Sequence, residues 1–178
     1  MKFKIFRFKK IKSTNNTAIR IIKSLNIKSG VIFTQSQYKG RGQYGRKWIS
    51  YKGNLFASFF HPFDQNKFSI ERATKLNCNL VKKLLSKYVK NEITFKKPND
   101  LLINKEKISG ILQEIITKSD KKFLIAGIGI NVIKNPNIKN YPATNLHTIT
   151  GKKINKSELE NNLKLVFENR ISKMYKMN

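Results

Sequence analysis

The amino-acid sequence predicts an α+β domain, a mixed and largely antiparallel sheet flanked by helices. Three observations carry that prediction. Segments with helical spacing of apolar residues are interspersed with short apolar runs, without the strict strand–helix–strand rhythm of a parallel fold. Several of those runs are joined by connections short enough for hairpins. The length, 178 residues with 39% hydrophobic side chains, suits a single domain over residues 1–178 with one substantial core.

In chain order, KFKIFRF reads as a first strand. Ser13 stands where a helix needs a cap, and Ala18, Ile21, Ile22 and Leu25 form the apolar face of the helix after it, which should end near Gly30. GVIFTQSQ and NLFASFF are the next strands. Residues 69–88 carry Ile70, Ala73, Leu76, Leu80, Leu84 and Leu85 at helical spacing. EITFK is a short strand that runs into Pro98, which has no N–H to give to a central ladder. LLINKEKISGILQEII reads as a hairpin with NKEK at its tip, and FLIAGIGINV as an apolar strand with two glycines. Ser157 and Glu160 have the spacing of a capping box, opening a helix that buries Leu159, Leu163, Val166 and Phe167.

Charge restricts the function classes. The net charge is +27, from 37 Lys and Arg against 10 Asp and Glu. Such a field attracts anionic substrates, acidic proteins and nucleic acid alike. Only six of the basic residues are Arg, however, and base readout leans on the bidentate guanidinium. Specific DNA binding is therefore not expected, and the lysine excess fits AT-rich coding. The single Cys78 permits no disulfide within the chain, lies in a helix-like stretch and reads as a core residue in a reducing cytosol. His61 and His147 have no zinc spacing, so no metal site is expected. No apolar run approaches the ~18 residues of a membrane span, and the basic N-terminus has no apolar signal core. A cytoplasmic protein without membrane association is expected.

Four stretches suggest chemistry. GRGQYGRKW, residues 40–48, combines three glycines, three cations and the only tryptophan. Glycines let backbone N–H groups wrap an anion, and Arg and Lys supply charge. The stretch lacks the G-K-[ST] ending of a Walker loop, and its repelling cations predict a segment that is mobile until a ligand binds. KPND, residues 97–100, places Asn99 and Asp100 after a rigid proline. That is ordinary turn chemistry, or a carboxylate able to bind a metal or accept a proton from an amine. Lys107 opens an apolar strand that contains Gly110, and a strand glycine often marks close approach by a ligand or another backbone. Glu114, further along, reads equally well as a solvent-facing strand residue. Gly127 and Gly129 alternate on one strand face, leaving room for a flat ring or for tight helix packing. GIGIN is not the dinucleotide fingerprint G-x-G-x-x-G.

Taken in order, KSTN (12–15), QYKGRGQYGRKW (37–48), GNLFAS (53–58), KPND (97–100), KISGIL (107–112) and GIGINV (127–132) resemble the catalytic domain of biotin protein ligases. ATNLHTITGKK (143–153) resembles the segment that follows, and the resemblance runs from residue 13 to about 170. It implies a sheet-and-helix fold like that of class II aminoacyl-tRNA synthetases. It implies an enzyme that joins biotin to ATP, giving biotinyl-5′-AMP, and then passes biotin to one lysine of a biotin carboxyl carrier domain, as in acetyl-CoA carboxylase. ATP with Mg²⁺ is the implied cofactor pair, with the ion carried mostly by phosphates and water.

The same resemblance implies roles. Ser13, Thr14, Asn15 and Gln37 fall at biotin's ureido end. Gly40, Arg41, Gly42 and Gln43 fall in the loop that closes over biotin and the adenylate phosphate. Lys107 falls at the biotin carboxylate, with Gly110 and Gly127 beside biotin. Arg41, Arg46, Trp48, Asn99, Lys107, Gly129 and Asn131 fall on the ATP and adenylate side. Lys107, Arg41 and Asp100 are the implied catalytic residues, Asp100 assisting the acceptor amine. Departures from the family pattern are Gln43 and Tyr44 for two arginines, Lys97 for a tryptophan and Lys12 for an aspartate. The expected chain is the catalytic domain alone, without an N-terminal helix-turn-helix or a C-terminal SH3-like domain, and a homodimer is compatible with it. The rival readings are a lipoate or octanoate ligase or transferase of the same fold, and a non-catalytic protein that binds biotin or nucleic acid. GRGxxGR and KPND-x6-K favour biotin.

Overall fold

The computed structural model describes residues 1–176. Seven strands form one sheet: β1 (Lys4–Ile11), β2 (Gly30–Gln37), β3 (Leu55–Pro62), β4 (Ile93–Lys96), β5 (Asp100–Ile103), β6 (Glu106–Lys118) and β7 (Lys121–Ile130). Their order across the sheet is β1-β2-β3-β7-β6-β5-β4. Only β1 and β2 run parallel; every other neighbouring pair is antiparallel. The expected mixed, largely antiparallel sheet flanked by helices is what the chain forms.

Helix α1 (Thr14–Ser24) packs on one face, where Ala18, Ile21 and Ile22 meet Ile32, Phe60, Phe123 and Ile125. Helices α2 (Ile70–Leu85) and α4 (Lys156–Lys176) cover the other, and the short α3 (Leu146–Thr150) precedes α4. On the α2–α4 side the rings of Phe59 and Phe167 stack at 4.2 Å, and Phe3 meets Phe59 edge-on at 5.1 Å. Strand alternation explains the two cores: successive residues of β7 point to opposite faces, so Phe123 and Ile125 serve α1 while Ala126, Ile128 and Ile130 serve α2 and α4. Among the described residues no helix is long and apolar enough to cross a membrane.

Several helix ends differ from expectation. Ser13 is the N-cap of α1, but its hydroxyl makes no capping bond. Gln37 at the end of β2 takes that role instead: its Oε1 accepts from Thr14 N at 2.8 Å. The helix stops at Ser24, well before Gly30, and Leu25 is exposed. Ile70 is also exposed, in the first turn of α2, where Ser69 Oγ accepts from Arg72 N. Ser157 does not cap α4. Asn155 Oδ1 accepts from Ser157 N and Glu158 N at 3.0 and 3.2 Å, and Glu160 pairs with Arg7 of β1. An amide two residues earlier reaches two orphan donors, while the guanidinium draws the glutamate away from the helix start. In the β5–β6 hairpin the turn proper is Asn104 and Lys105, both at positive φ (51° and 66°), and Glu106 and Lys107 already belong to β6.

His61 in β3 and Cys78 in α2 are both buried. Burial pushes the Cys78 thiol up to about 12, with Asp100 adding to the shift, so the core reading of Cys78 holds. Burial lowers the His61 imidazole to about 4, partly offset by its contact with the Pro62 carbonyl. The folded value lies below the ordinary 6.5, so the unfolded chain binds a proton first as pH falls. Stability from this group is complete above pH ~6.5 and is lost towards pH 4, by about 3 kcal/mol. His61→Phe is expected to remove that much of the pH 7-to-4 difference in unfolding free energy, measured by urea titration. An unchanged pH difference in the variant would assign the acid sensitivity elsewhere.

Candidate active site

A cavity of about 660 Å³ opens beside the N-terminus of α1, a volume in the range of small-molecule sites. Its floor is the β6–β7 pair. Gly110 lies directly opposite Gly129 in that ladder, which makes a bare trough two strands wide. The Trp48 indole lies in it: a methyl group on Gly129 would overlap the ring, and one on Gly110 would come within 2.7 Å. Gly127, one step along the same face, leaves room for the Asn15 amide at the start of α1. The two open readings of these glycines thus both hold, at different positions. Gly129 accommodates a ring, and Gly127 a helix end.

This packing gives a direct test. Gly129→Ala is expected to lift the indole and red-shift the emission of the only tryptophan in the native protein, with about 1–3 kcal/mol lost from overpacking. An emission maximum identical to wild type would show that the ring does not rest on Gly129.

Polar groups ring the floor. Ser13, Thr14 and Asn15 come from the start of α1 and Gln37 from the end of β2. Asn15 Oδ1 accepts from Ser58 Oγ at 2.5 Å, while its Nδ2 donates to Glu114 Oε2 at 2.7 Å and to Leu112 O at 3.3 Å. Gln37 Nε2 donates to Ser50 Oγ at 3.1 Å. On the opposite side Lys107 Nζ lies 2.8 Å from Asp100 Oδ1 and 5.2 Å from the Trp48 ring centre. Asn99 is fixed beside Asp100 because its Nδ2 donates to Ile111 O at 2.6 Å. Asn131 Nδ2 donates to Lys107 O and Thr144 O, which ties the chain after β7 to the strand that carries Lys107.

The glycine-rich stretch is folded rather than loose. Arg41 and Lys47 form a bridge, Gly42 N donates to Arg46 O at 2.7 Å, and Trp48 N donates to Gly40 O at 3.0 Å. At the tip Tyr44 and Gly45 both have positive φ, and Tyr44 is almost fully exposed. The expectation of a mobile loop counted only glycines and repelling cations. The indole anchored in the trough, and the Arg41 Nη2–Glu114 Oε2 pair at 2.5 Å, supply the missing attraction.

Apart from Gly40, every residue singled out as a candidate from the sequence lines this one cavity: Ser13, Thr14, Asn15, Gln37, Arg41, Gly42, Gln43, Arg46, Trp48, Asn99, Asp100, Lys107, Gly110, Gly127, Gly129 and Asn131. Gly40 sits at the neck of the loop, where a methyl group would come within 2.5 Å of Trp48 O. Two contributors were missed. The segment after β7 places Pro136, Ile138, Tyr141 and Ala143 along the cavity, with Tyr141 under the Arg46 guanidinium at 5.3 Å. It has no periodicity to betray it. Glu114 was detectable: it lies four residues after Gly110 on one strand, hence on the same face. Arg41, Arg46, Lys47, Lys96, Lys97 and Lys107 all line the cavity, against the single lining carboxylate of Asp100. The arrangement suits a ligand that is flat or apolar at one end and anionic at the other.

Residues 7–131 match the biotin/lipoate A/B protein ligase family, and the chain belongs to that family. Within it, the similarity is to biotin protein ligases. The chain is 30% identical over 168 residues to the bifunctional ligase/repressor BirA of Bacillus subtilis, covering 90% of this chain and 51% of that protein. It thus spans about half the length of that relative. The biotin protein ligase of Aquifex aeolicus, solved in complex with biotin and ATP, superposes with a TM-score of 0.78 at 28% identity, over 96% of this chain and 71% of the other. The biotin protein ligase of Leishmania major, in complex with biotinyl-5-AMP, gives 0.76 at 25% identity, over 96% and 75%.

Proposed function

We propose that this chain activates biotin with ATP and transfers the biotinyl group to a lysine of a carrier domain. The observation that carries the reading is the Lys107–Asp100 pair beside a glycine-floored cavity that is roofed by a basic loop. In the first step the biotin carboxylate attacks the α-phosphorus of ATP, and pyrophosphate leaves with the electrons of the broken P–O bond. Lys107 holds the attacking carboxylate and offsets the charge that builds on the α-phosphate. Arg41 and Arg46 attract the phosphates from the loop side. Thr14, Asn15 and Gln37 supply the polar end that suits a ureido group, and Trp48 offers a buried Nε1–H that has no hydrogen-bond partner within the protein.

In the second step an amine attacks the acyl carbon and AMP leaves. Asp100 accepts the amine's proton, and Lys107 orients that carboxylate. The loop excludes water from the mixed anhydride between the two steps. Among the described residues no group of three or more His, Cys, Asp or Glu is arranged to hold a metal. Magnesium that accompanies ATP would be carried by the phosphates and water.

The test is transfer of labelled biotin to an isolated carrier domain with ATP and Mg²⁺. ATP-dependent labelling supports the reading. Labelling by lipoate or octanoate in place of biotin would redirect it within the family. Binding to nucleic acid with a steep salt slope and no response to biotin would replace it.

A further inference from the structure

We infer that Glu114 is a positioning residue that holds Arg41 by one edge of its guanidinium and so docks the glycine-rich loop on the floor of the site. The inference rests on the proposed function only for what the loop covers. The contact itself is in the geometry. Glu114 Oε2 lies 2.5 Å from Arg41 Nη2 and 2.7 Å from Asn15 Nδ2. One carboxylate therefore ties three elements together: β6, which carries it, the start of α1 through Asn15, and the loop through Arg41. Asn15 extends the chain to β3 through the buried Ser58 hydroxyl.

The pair is not an ordinary surface ion pair. Glu114 is 25% exposed and Arg41 39%, and the carboxylate oxygen that meets Arg41 also accepts from Asn15 Nδ2. A fixed acceptor holds a guanidinium more effectively than a freely rotating one, because less side-chain freedom is lost when the bond forms. A guanidinium presents five donors in a planar fork, and the bond to Glu114 uses Nη2. Arg41 also lines the cavity. Glu114 thus aligns the fork so that its remaining donors serve an anionic ligand, with the arginine shared between protein and phosphate. Without that carboxylate, the cations of the loop repel one another, and only the Trp48 anchor and the Arg46–Tyr141 contact oppose its opening.

Glu114→Gln separates the roles, because the amide oxygen still accepts from Asn15 while the negative charge that faces Arg41 is lost. The first readout needs no substrate. Chymotrypsin cleavage after the exposed Tyr44 requires the loop to open locally, and Glu114→Gln is expected to speed it about tenfold. In an Arg41→Ala background, which is itself fast, adding Glu114→Gln is expected to change the rate by less than about twofold, since its partner is gone. Cleavage at the wild-type rate in Glu114→Gln overturns the inference. So does an equal acceleration in both backgrounds, which would mark Glu114 as a general support of the fold. The second readout is kinetic: Glu114→Gln is expected to raise the KM for ATP about tenfold, and a fall in kcat with that KM unchanged also overturns the inference. Absence of any ligase activity in wild type would reject the proposed function and leave the cleavage result to decide on Glu114 alone.

Discussion

Lys107→Ala is expected to lower adenylate formation in a single turnover by about a hundredfold or more, while the protein stays folded. The first half follows from position. Lys107 Nζ is at the cavity, beside Asp100 and over Trp48, where a reacting carboxylate and phosphate would converge. Removing one preorganised charge or donor of this kind costs about 10²–10³ in rate. The second half follows from what Lys107 contributes to the fold. Its main chain donates to Pro142 O and accepts from Thr144 N, and an alanine keeps both bonds. Its side chain is 32% exposed and that of Asp100 23%, so breaking the pair costs about 1–3 kcal/mol, less than the stability of a typical domain. The measurement is the rate of labelled adenylate formation alongside a thermal melt. Near-normal turnover in the alanine variant would remove Lys107 from the centre of the mechanism. Lost activity with an equally collapsed melt would say nothing of chemistry, and the conserved main-chain bonds predict that this does not occur.

Asn54→Ala is expected to destabilise the domain by about 3–5 kcal/mol, although Asn54 touches no ligand-facing surface. The side chain is completely buried. Its Oδ1 accepts from Val132 N, Ile133 N and Lys134 N at 3.0, 3.1 and 3.3 Å, and its Nδ2 donates to Lys134 O at 2.6 Å. One amide thus replaces the strand partner that the chain loses when it leaves β7. Truncation orphans main-chain groups, the Val132 N–H among them fully buried, and each group that water does not reach costs about 1–3 kcal/mol, on top of the void left by the amide. The same segment follows Asn131, whose amide binds the Lys107 carbonyl, so loss of Asn54 should also loosen the site. Urea unfolding of the variant checks the first effect, and a loss under 1 kcal/mol would contradict it. Ligand affinity of the still-folded fraction checks the second.

The regular elements were legible because periodicity is a property of the chain itself. Short apolar runs marked β2, β3 and β7, and helical spacing marked α1, α2 and α4. The glycine floor was legible for the same reason, since Gly127 and Gly129 had to share a face. Element ends were not, because a cap is decided by whichever neighbour reaches the orphan donors first. Gln37 from a strand 23 residues away supplants Ser13, and Asn155 supplants Ser157. The 136–143 segment along the cavity was invisible because it has no period and owes its course to tertiary bonds such as Lys107 N to Pro142 O. Glu114 lay between these cases. Its face could be read from Gly110, but its partner Arg41 lies 73 residues away in a loop whose folded shape depends on that contact.

The edge strand β1 has a consequence of a different kind. It has a neighbour on one side only, and it carries Lys4, Arg7, Lys9 and Lys10 along eight residues, with Ile5 and Phe8 partly exposed. A bare row of main-chain donors and acceptors beside exposed aliphatic and aromatic groups is a template for fibril growth. Here a second copy arriving edge to edge would meet a row of like charges a few ångströms away. That repulsion weakens as salt shortens the Debye length, so colloidal stability of this strongly cationic chain declines with ionic strength even while its fold is unchanged.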